Sequence, residues 1–330
     1  MNACTVDASV LIVSFNTRAL LCECLDALAG TRRDAIAEVL VLDNASGDGS
    51  ADAVAARHPW VRLVRSDTNL GFAAANNRLL SLARGRYVVL LNPDARLDDG
   101  VLQRAIARMD ASPRIAAAGA RLVAPDGSAQ PSARRFPSAL DDLLVLSGLA
   151  ARYPRSRFFG RFDRTWADPL EAAPVDWVPG AFVILRREVL EDLGFFDERF
   201  FLYYEEVDLC RRIRAGGHEV WYWPDLVVTH VGGASSRTQE HLALSAKGAQ
   251  LTLWRLRSAL LYHRKHHGLR GALASAAIEG LWHAMRATRN GASRLVERRA
   301  RAGESRHLVA LVRRAWRDTL GGRVSPARPW

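Results

Sequence analysis

Short apolar runs alternate with amphipathic stretches over the first 125 residues. Val10-Leu11-Ile12-Val13-Ser14, Val39-Leu40-Val41-Leu42, Val61 to Val64 and Tyr87 to Leu91 are continuous apolar segments of strand length. Such runs fit strands buried on both faces. Between them, Thr17 to Leu28, Ser50 to Arg57, Phe72 to Ala83 and Asp99 to Met109 carry apolar positions at helical spacing. Strands alternating with helices predict a mostly parallel central sheet flanked by helices. Ala124-Pro125-Asp126-Gly127 predicts a hairpin turn.

From Ser128 to Asp176 the periodicity weakens, and arginines and aromatics mix with prolines, which predicts irregular structure. Order returns with a strand over Trp177 to Leu185 and a helix from Arg187 to Leu193 closed by Gly194. A second helix, Tyr204 to Arg214, stops at Gly216-Gly217, and Val220 to Trp223 is a strand. Beyond Gly232-Gly233 the pattern is helical to the end. These shifts divide the chain into a half of alternating strands and helices (about 8–125), a second half (about 126–240) and a helical extension (241–330).

Charge sharpens that division. The 330 residues carry a net +11, but His241 to Trp330 holds 18 Lys/Arg against four Asp/Glu, a balance of +14, so the first 240 residues carry −3. A basic extension suits an anionic membrane surface or nucleic acid. Leu253-Trp254-Arg255-Leu256-Arg257 and Leu260-Leu261-Tyr262 are the segments expected to lie in a lipid interface; a packed helix pair or homodimer contact is the other reading. No nucleic-acid recognition motif accompanies the basic residues, so nucleic acid is not expected as a partner. Cys4, Cys22, Cys24 and Cys210 have no zinc-site spacing and read as reduced thiols. No apolar stretch approaches the ~18 residues of a membrane span. A cytoplasmic location, at most at the inner membrane face, is expected.

Ligands of open parallel sheets bind at the carboxyl ends of the strands. Three polar clusters fall there: Ser14-Phe15-Asn16, Asp43-Asn44-Ala45-Ser46-Gly47-Asp48-Gly49-Ser50 and Asn92-Pro93-Asp94. Asp43 is placed to accept hydrogen bonds from a base edge or ribose. Asn69-x-Gly71 opens a helix that runs on to Asn77; Gly71 permits close backbone approach, and helix N-terminal amides suit a diphosphate. Asp94 offers a hard oxygen ligand for Mg²⁺ or Mn²⁺. Glu205-Glu206 follows a strongly aromatic stretch, a setting that raises carboxyl pKa values and suits a general base. His230, followed by Gly232, Gly233, Ser235 and Ser236, suits a phosphate or metal contact.

Together these stretches resemble the family 2 glycosyltransferases of GT-A fold, most closely the bacterial rhamnosyltransferase-like branch that builds surface polysaccharides. The resemblance covers about residues 8–270 and rests on the order and spacing of Val10-to-Asn16, Leu42-to-Gly49, Asn69-to-Asn77, Leu91-to-Asp94, Pro179-Gly180-Ala181, Phe196-to-Arg211 and His230-x-x-Gly233. It implies a GT-A, Rossmann-like catalytic domain over 1–240, with a nucleotide-sugar-binding half at about 8–125 and an acceptor and catalytic half at about 126–240, and an inverting transfer of sugar from a nucleoside-diphosphate sugar. Asp43 then recognises the base, and Asn16, Asn69 and Gly71 line the nucleotide pocket with Ser14, Asn77 and Asn92. Asp94 and His230 hold a divalent cation, Trp177 and Gly180 shape the donor and acceptor pocket, and Glu206, with Glu205 as competitor, is the catalytic base. The implied donor is dTDP-rhamnose, and the implied acceptor a saccharide or lipid-linked saccharide. Two departures stand out: Asn92 replaces the first carboxylate of the metal motif, and Glu-Glu replaces Glu-Asp at the base. A sugar nucleotidyltransferase would share the sheet, but Ser14-Phe15-Asn16-Thr17-Arg18 lacks the glycine-rich loop it needs.

Overall fold

The computed structural model describes residues 6–31, 37–232, 249–292 and 295–326. Its first half runs β1 (Ala8–Ser14), α1 (Arg18–Thr31), β2 (Ala37–Asp43), α2 (Ser50–Arg57), β3 (Arg62–Arg65), α3 (Phe72–Leu80), β4 (Tyr87–Leu91), β5 (Ala95–Leu97), α4 (Val101–Ala111) and β6 (Ile115–Val123). There follow α5 (Ala139–Leu146), α6 (Leu149–Arg152), β7 (Ala173–Pro174), β8 (Phe182–Arg186), α7 (Arg187–Leu193), α8 (Glu205–Ala215) and β9 (Glu219–His230). Two long helices, α9 (Ala249–Gly291) and α10 (Val296–Asp318), complete the described chain.

The strands form one mixed sheet in the order β3-β2-β1-β4-β8-β6-β9-β5, with β7 beside β9. β3, β2, β1 and β4 are parallel, as the apolar runs predict. Their two-residue period splits each run between the two faces. Val10, Ile12, Val41 and Val89 enter the core of one face, and Leu11, Leu40, Leu42 and Leu90 that of the other. β8 turns antiparallel against β4, pairing Leu91 with Phe182. That pairing seats the Asn92 segment beside Ala181, whose carbonyl accepts the Asn92 amide at 3.1 Å.

Three elements depart from the sequence reading. β6 lies in the middle of the sheet, although Ala116-Ala117-Ala118-Gly119 carries little strand signal. Gly119 is required there: a Cβ would sit 2.6 Å from that of Val178. β9 runs on past Trp223 to His230 and pairs with β5, so His230 sits at a strand end. The stretch expected to be irregular contains α5 and α6; α5 is opened by a capping box between Ser138 and Asp141.

The basic extension does not behave as an appended tail. Its expected start falls outside the described residues, but α9 packs into the body built around the sheet. Tyr262 is fully buried in the core that holds Leu90 and Phe200, and Arg211 donates to its hydroxyl at 2.9 Å. Trp254 stacks on Phe201 at 4.4 Å. His266 and Lys265 each reach Asp208 at 2.7 Å. Leu253, Trp254, Leu256, Leu260, Leu261 and Tyr262 are all buried. The expectation that these residues lie in a lipid interface is therefore overturned: their apolar surface is spent on the fold. α9 breaks at Gly268 (φ 66°) and continues in a new direction against α10. Among the described residues no helix is long and apolar enough to cross a membrane. Cys22, Cys24 and Cys210 are buried free thiols.

Candidate active site

The register pairs Ser14 with Asp43, so the ends of β1 and β2 lie side by side. The Asp43 carboxylate accepts the Ser46 amide at 3.1 Å through Oδ2. Its Oδ1 is buried with no partner. An unsatisfied buried carboxylate oxygen is costly unless a ligand donates to it. Asn16, at φ 53°, braces this loop: its amide donates to Ser46 Oγ at 3.0 Å and its Oδ1 accepts the Gly47 amide at 2.8 Å. Ser14 is fully buried, its hydroxyl 2.9 Å from that of Thr17.

Asn69 and Gly71 belong to a buried amide network. Asn44 donates to Asn69 Oδ1 at 2.9 Å, the Gly71 amide donates to the same oxygen at 2.9 Å, and the Leu70 amide returns to Asn44 Oδ1 at 2.8 Å. Gly71 (φ +81°) lets the Phe201 backbone approach: a Cβ would lie 2.5 Å from Phe201 O. The first amide of α3, from Phe72, already donates to that carbonyl. Asn77 ties α3 to the loop between α7 and α8, donating to Phe196 O and accepting the Phe196 amide. Ser14, Asn69, Gly71 and Asn77 thus position the rim from behind.

At the next strand end Asp94 meets His230. Gln130 donates to the His230 carbonyl at 2.7 Å, which turns its amide oxygen to His230 Nδ1 at 2.8 Å. A carbonyl oxygen only accepts, so Nδ1 carries a proton, and in the neutral imidazole the Nε2 lone pair faces the rim. Nε2 lies 3.4 Å from Asp94 Oδ1 and 3.3 Å from Asn92 Nδ2. Asp94 Oδ2 accepts the Gly232 amide at 3.0 Å. Burial disfavours the Asp94 charge, but an Nε2 proton on His230 and the Gly232 amide outweigh it and hold the carboxylate below its ordinary value when the imidazole is charged.

With the imidazole neutral, Asp94 Oδ1 and His230 Nε2 are two acceptors that repel unless a proton or a metal cation joins them. A hard carboxylate beside an imidazole nitrogen fits Mn²⁺ or Mg²⁺, the imidazole favouring Mn²⁺. Among the described residues no three His, Cys, Asp or Glu side chains converge on a metal position. Asp94 and His230 could therefore hold a cation only as a partial ligand set, of the kind that substrate phosphates and water complete. Gly233, Ser235 and Ser236 lie outside the described residues.

Glu205 and Glu206 open α8 after two consecutive residues in the left-handed region, Tyr203 and Tyr204, both at φ 70°. Such conformations persist where packing over-determines them; Tyr204 packs on Tyr262 of α9. Both carboxylates have a buried oxygen without a partner. Burial, then the neighbouring Glu206, hold Glu205 well above the usual carboxylate range. Burial raises Glu206 as well, opposed by its own amide, by the Arg134 guanidinium and by the amides of Val207 and Gly180. Both carboxyls are therefore raised, and of the two it is Glu206 that has a cation, Arg134, and the Val207 and Gly180 amides opposing the rise. Asp208, fully buried, serves structure, held by Arg212, Lys265 and His266.

Trp177 is the buried platform beneath Arg134. Its indole donates to Arg135 O at 2.7 Å, and the Arg134 guanidinium lies 5.0 Å over its ring. Arg134 and Gln130 were not singled out in the sequence, because both sit in the stretch with no periodic signal. Gly180 joins the two halves of the site. Its amide faces Glu206, and the next residue, Ala181, holds Asn92. The arrangement combines a carboxylate oxygen without a partner, an adjacent carboxylate and imidazole that could hold a cation, and a raised-pKa carboxylate that can accept a proton.

Residues 9–194 match the model of the family described as glycosyl transferase family 2. The chain is 31% identical over 278 residues to the N-acetylglucosaminyl-diphospho-decaprenol L-rhamnosyltransferase of Mycobacterium tuberculosis, covering 79% of this chain and 89% of that protein. It is 30% identical over 241 residues to the O-antigen biosynthesis protein RfbC of Myxococcus xanthus, covering 69% of this chain and 17% of that protein. A solved mannosyltransferase of Pyrobaculum calidifontis, in complex with GDP-Man and Mn²⁺, shares the fold at TM-score 0.52 and 20% identity, over 93% of this chain and 86% of that one. GalNAc-T7, solved with UDP, GalNAc and Mn²⁺, does so at TM-score 0.57 and 14% identity, over 91% and 55%.

Proposed function

The chain belongs to glycosyltransferase family 2 and is a glycosyltransferase of GT-A fold, and from that premise we propose that it is an inverting enzyme transferring L-rhamnose from dTDP-rhamnose to a lipid-linked saccharide. The donor sugar and the acceptor class follow the mycobacterial relative, whose own name specifies a rhamnosyl transfer to a diphospho-decaprenol glycan. Such an acceptor places the enzyme's work at the inner face of the plasma membrane, in the building of a cell-envelope polysaccharide.

The reading rests on one observation above others. The Asp94–His230 pair and the Glu206 carboxylate are set on the two sides of the β4–β8 seam, through Asn92, Ala181 and Gly180. Donor and acceptor chemistry thereby share one rim. Asp43 Oδ1 accepts a donor N–H or O–H of the base or ribose. Asp94 and His230 would hold Mn²⁺ or Mg²⁺, which supplies charge neutralisation to the diphosphate. Glu206 takes the proton from an acceptor hydroxyl, whose oxygen forms the new bond to the anomeric carbon from the face opposite the diphosphate. The bond between that carbon and the diphosphate oxygen breaks, and the diphosphate leaves with the electron pair. Arg134 opposes the rise that burial imposes on the Glu206 pKa, and burial keeps the carboxylate basic.

A donor screen tests the assignment. Binding and slow hydrolysis are measured for dTDP-rhamnose and for UDP- and GDP-sugars, with Mn²⁺, with Mg²⁺ and with chelator. The proposal expects dTDP-rhamnose to bind best and to need the cation. Tighter binding of another sugar nucleotide replaces the rhamnosyl assignment, and full binding in chelator removes the metal.

A further inference from the structure

Beyond Gly268, α9 presents opposite faces to opposite environments. Ala272, Ser275, Glu279 and His283 are buried against the body and α10. On the outer side stand Leu269, Leu273, Leu281 and Met285, exposed at 48%, 47%, 70% and 53%. Their spacing in multiples of four makes a continuous ridge along a helix. Beside it, an open groove of about 810 Å³ runs between the end of α9 and α10. Ala284 and Thr288 form one wall, and Arg306, Arg313 and Arg317 stand on the other, with no acidic residue in the lining. Leu273, Leu281 and Thr288 lie within about 60° of Ala284 around the helix axis, so ridge and groove face the same way. Among the described residues, none of these three arginines makes an ion pair, whereas Arg314 and Arg257 share Asp318 and Arg255 holds Glu279.

We infer that this face of the α9–α10 hairpin docks the protein on an anionic lipid bilayer, with lipid headgroup phosphates in the arginine groove and the leucine ridge in the headgroup–acyl boundary. Charge decides the occupant. The segment from His241 onward carries +14, and a two-fold contact with a second copy would set one cationic groove against another. Anionic headgroups neutralise it instead, and an apolar ridge flanked by arginines is the make-up of a helix that lies in an interface. The surface is separate from the expected lipid-facing residues 253–262, which the fold buries. It stands whether or not the acceptor is lipid-linked.

The test is co-sedimentation of the full chain with phosphatidylcholine vesicles and with vesicles of equal phosphatidylcholine and phosphatidylglycerol, at low and high salt. The protein should bind the anionic vesicles, weaken in salt and leave the neutral vesicles largely unbound. Each of Arg306→Gln, Arg313→Gln and Arg317→Gln should weaken binding about fivefold. Leu273→Glu combined with Leu281→Glu should weaken it about tenfold or more. These positions are exposed, and unchanged thermal melting and dTDP-rhamnose binding of the variants confirm that they fold. Wild-type protein that ignores anionic vesicles, or variants that bind them like wild type, overturn the inference. So does a leucine variant that only converts a sedimenting dimer to monomer, which would make a second copy the occupant.

Discussion

Gln130 and His230 hold each other by two hydrogen bonds, from the Gln130 amide nitrogen to the His230 carbonyl at 2.7 Å and between His230 Nδ1 and Gln130 Oε1 at 2.8 Å. The first bond fixes which way the glutamine amide faces, and so fixes the imidazole tautomer. Outer partners of this kind set ligand orientation and basicity. Gln130→Leu should lower Mn²⁺ affinity by about 10- to 100-fold in the presence of nucleoside diphosphate. Titration calorimetry reads this directly, and an unchanged affinity would remove Gln130 from the metal centre.

The acid limb of the pH–rate profile reports the base. Burial holds Glu206 above the ordinary carboxylate value, and Arg134 opposes that rise. The limb in kcat/KM should therefore lie above the usual carboxylate range, and Arg134→Gln should move it to higher pH, because the anion loses a stabilising cation. A limb that stays in place or moves to lower pH contradicts the pairing of Arg134 with Glu206.

Gly71 is fixed by both conformation and space. Gly71→Ala puts a methyl 2.5 Å from Phe201 O and 2.6 Å from its ring, at φ +81°. Left-handed backbone and overpacking together should cost about 2–5 kcal/mol. Urea denaturation should show a lower midpoint with little change in slope. Because Phe201 also stacks on Trp254, a variant as stable as wild type would mean this loop is not locked as described.

Asp142, on α5, is half-buried between His263 and Ser275 of α9. Burial, then Glu279, push its carboxyl up to about 7. The folded state keeps a proton that the unfolded state releases near 4, so this group's contribution is complete below that pH and is lost as pH rises through about 7. His263 works the other way in part of the window, since burial lowers it to about 4. Asp142→Asn removes only the first effect. Its melting temperature relative to wild type should climb between about pH 4 and pH 7. A difference that is flat with pH contradicts the raised carboxyl.

The parallel half of the sheet was legible in the sequence because its strands are uninterrupted Val/Leu/Ile runs, as at Val10 to Val13. Their ends placed Asp43 and Asp94 on one rim. β6 was not legible, since Ala116 to Gly119 is shaped by the need to pass close to Val178, a tertiary requirement. Arg134 and Gln130 were hidden for a related reason: their roles come from Trp177 and His230, distant in sequence. Ser14, Asn69, Gly71 and Asn77 share the right segments but turn inward to brace them. The apolar residues 253–262 show the limit most plainly. Periodicity reveals that a helix has an apolar face, but whether protein or lipid covers it depends on the break at Gly268 and on the cavity α9 fills.

The central claim is that Glu206, at the start of α8 and bonded by the Gly180 amide, is the base, while Glu205 stays protonated beside it. It is tested most directly by the transfer rate of Glu206→Gln and Glu205→Gln with saturating donor and acceptor, alongside donor affinity. The account predicts that Glu206→Gln loses about 10²- to 10⁴-fold in kcat with donor affinity unchanged, and that Glu205→Gln, replacing an already neutral carboxyl, stays within about tenfold of wild type. Transfer by Glu206→Gln at the wild-type rate, or loss confined to Glu205→Gln, would contradict it.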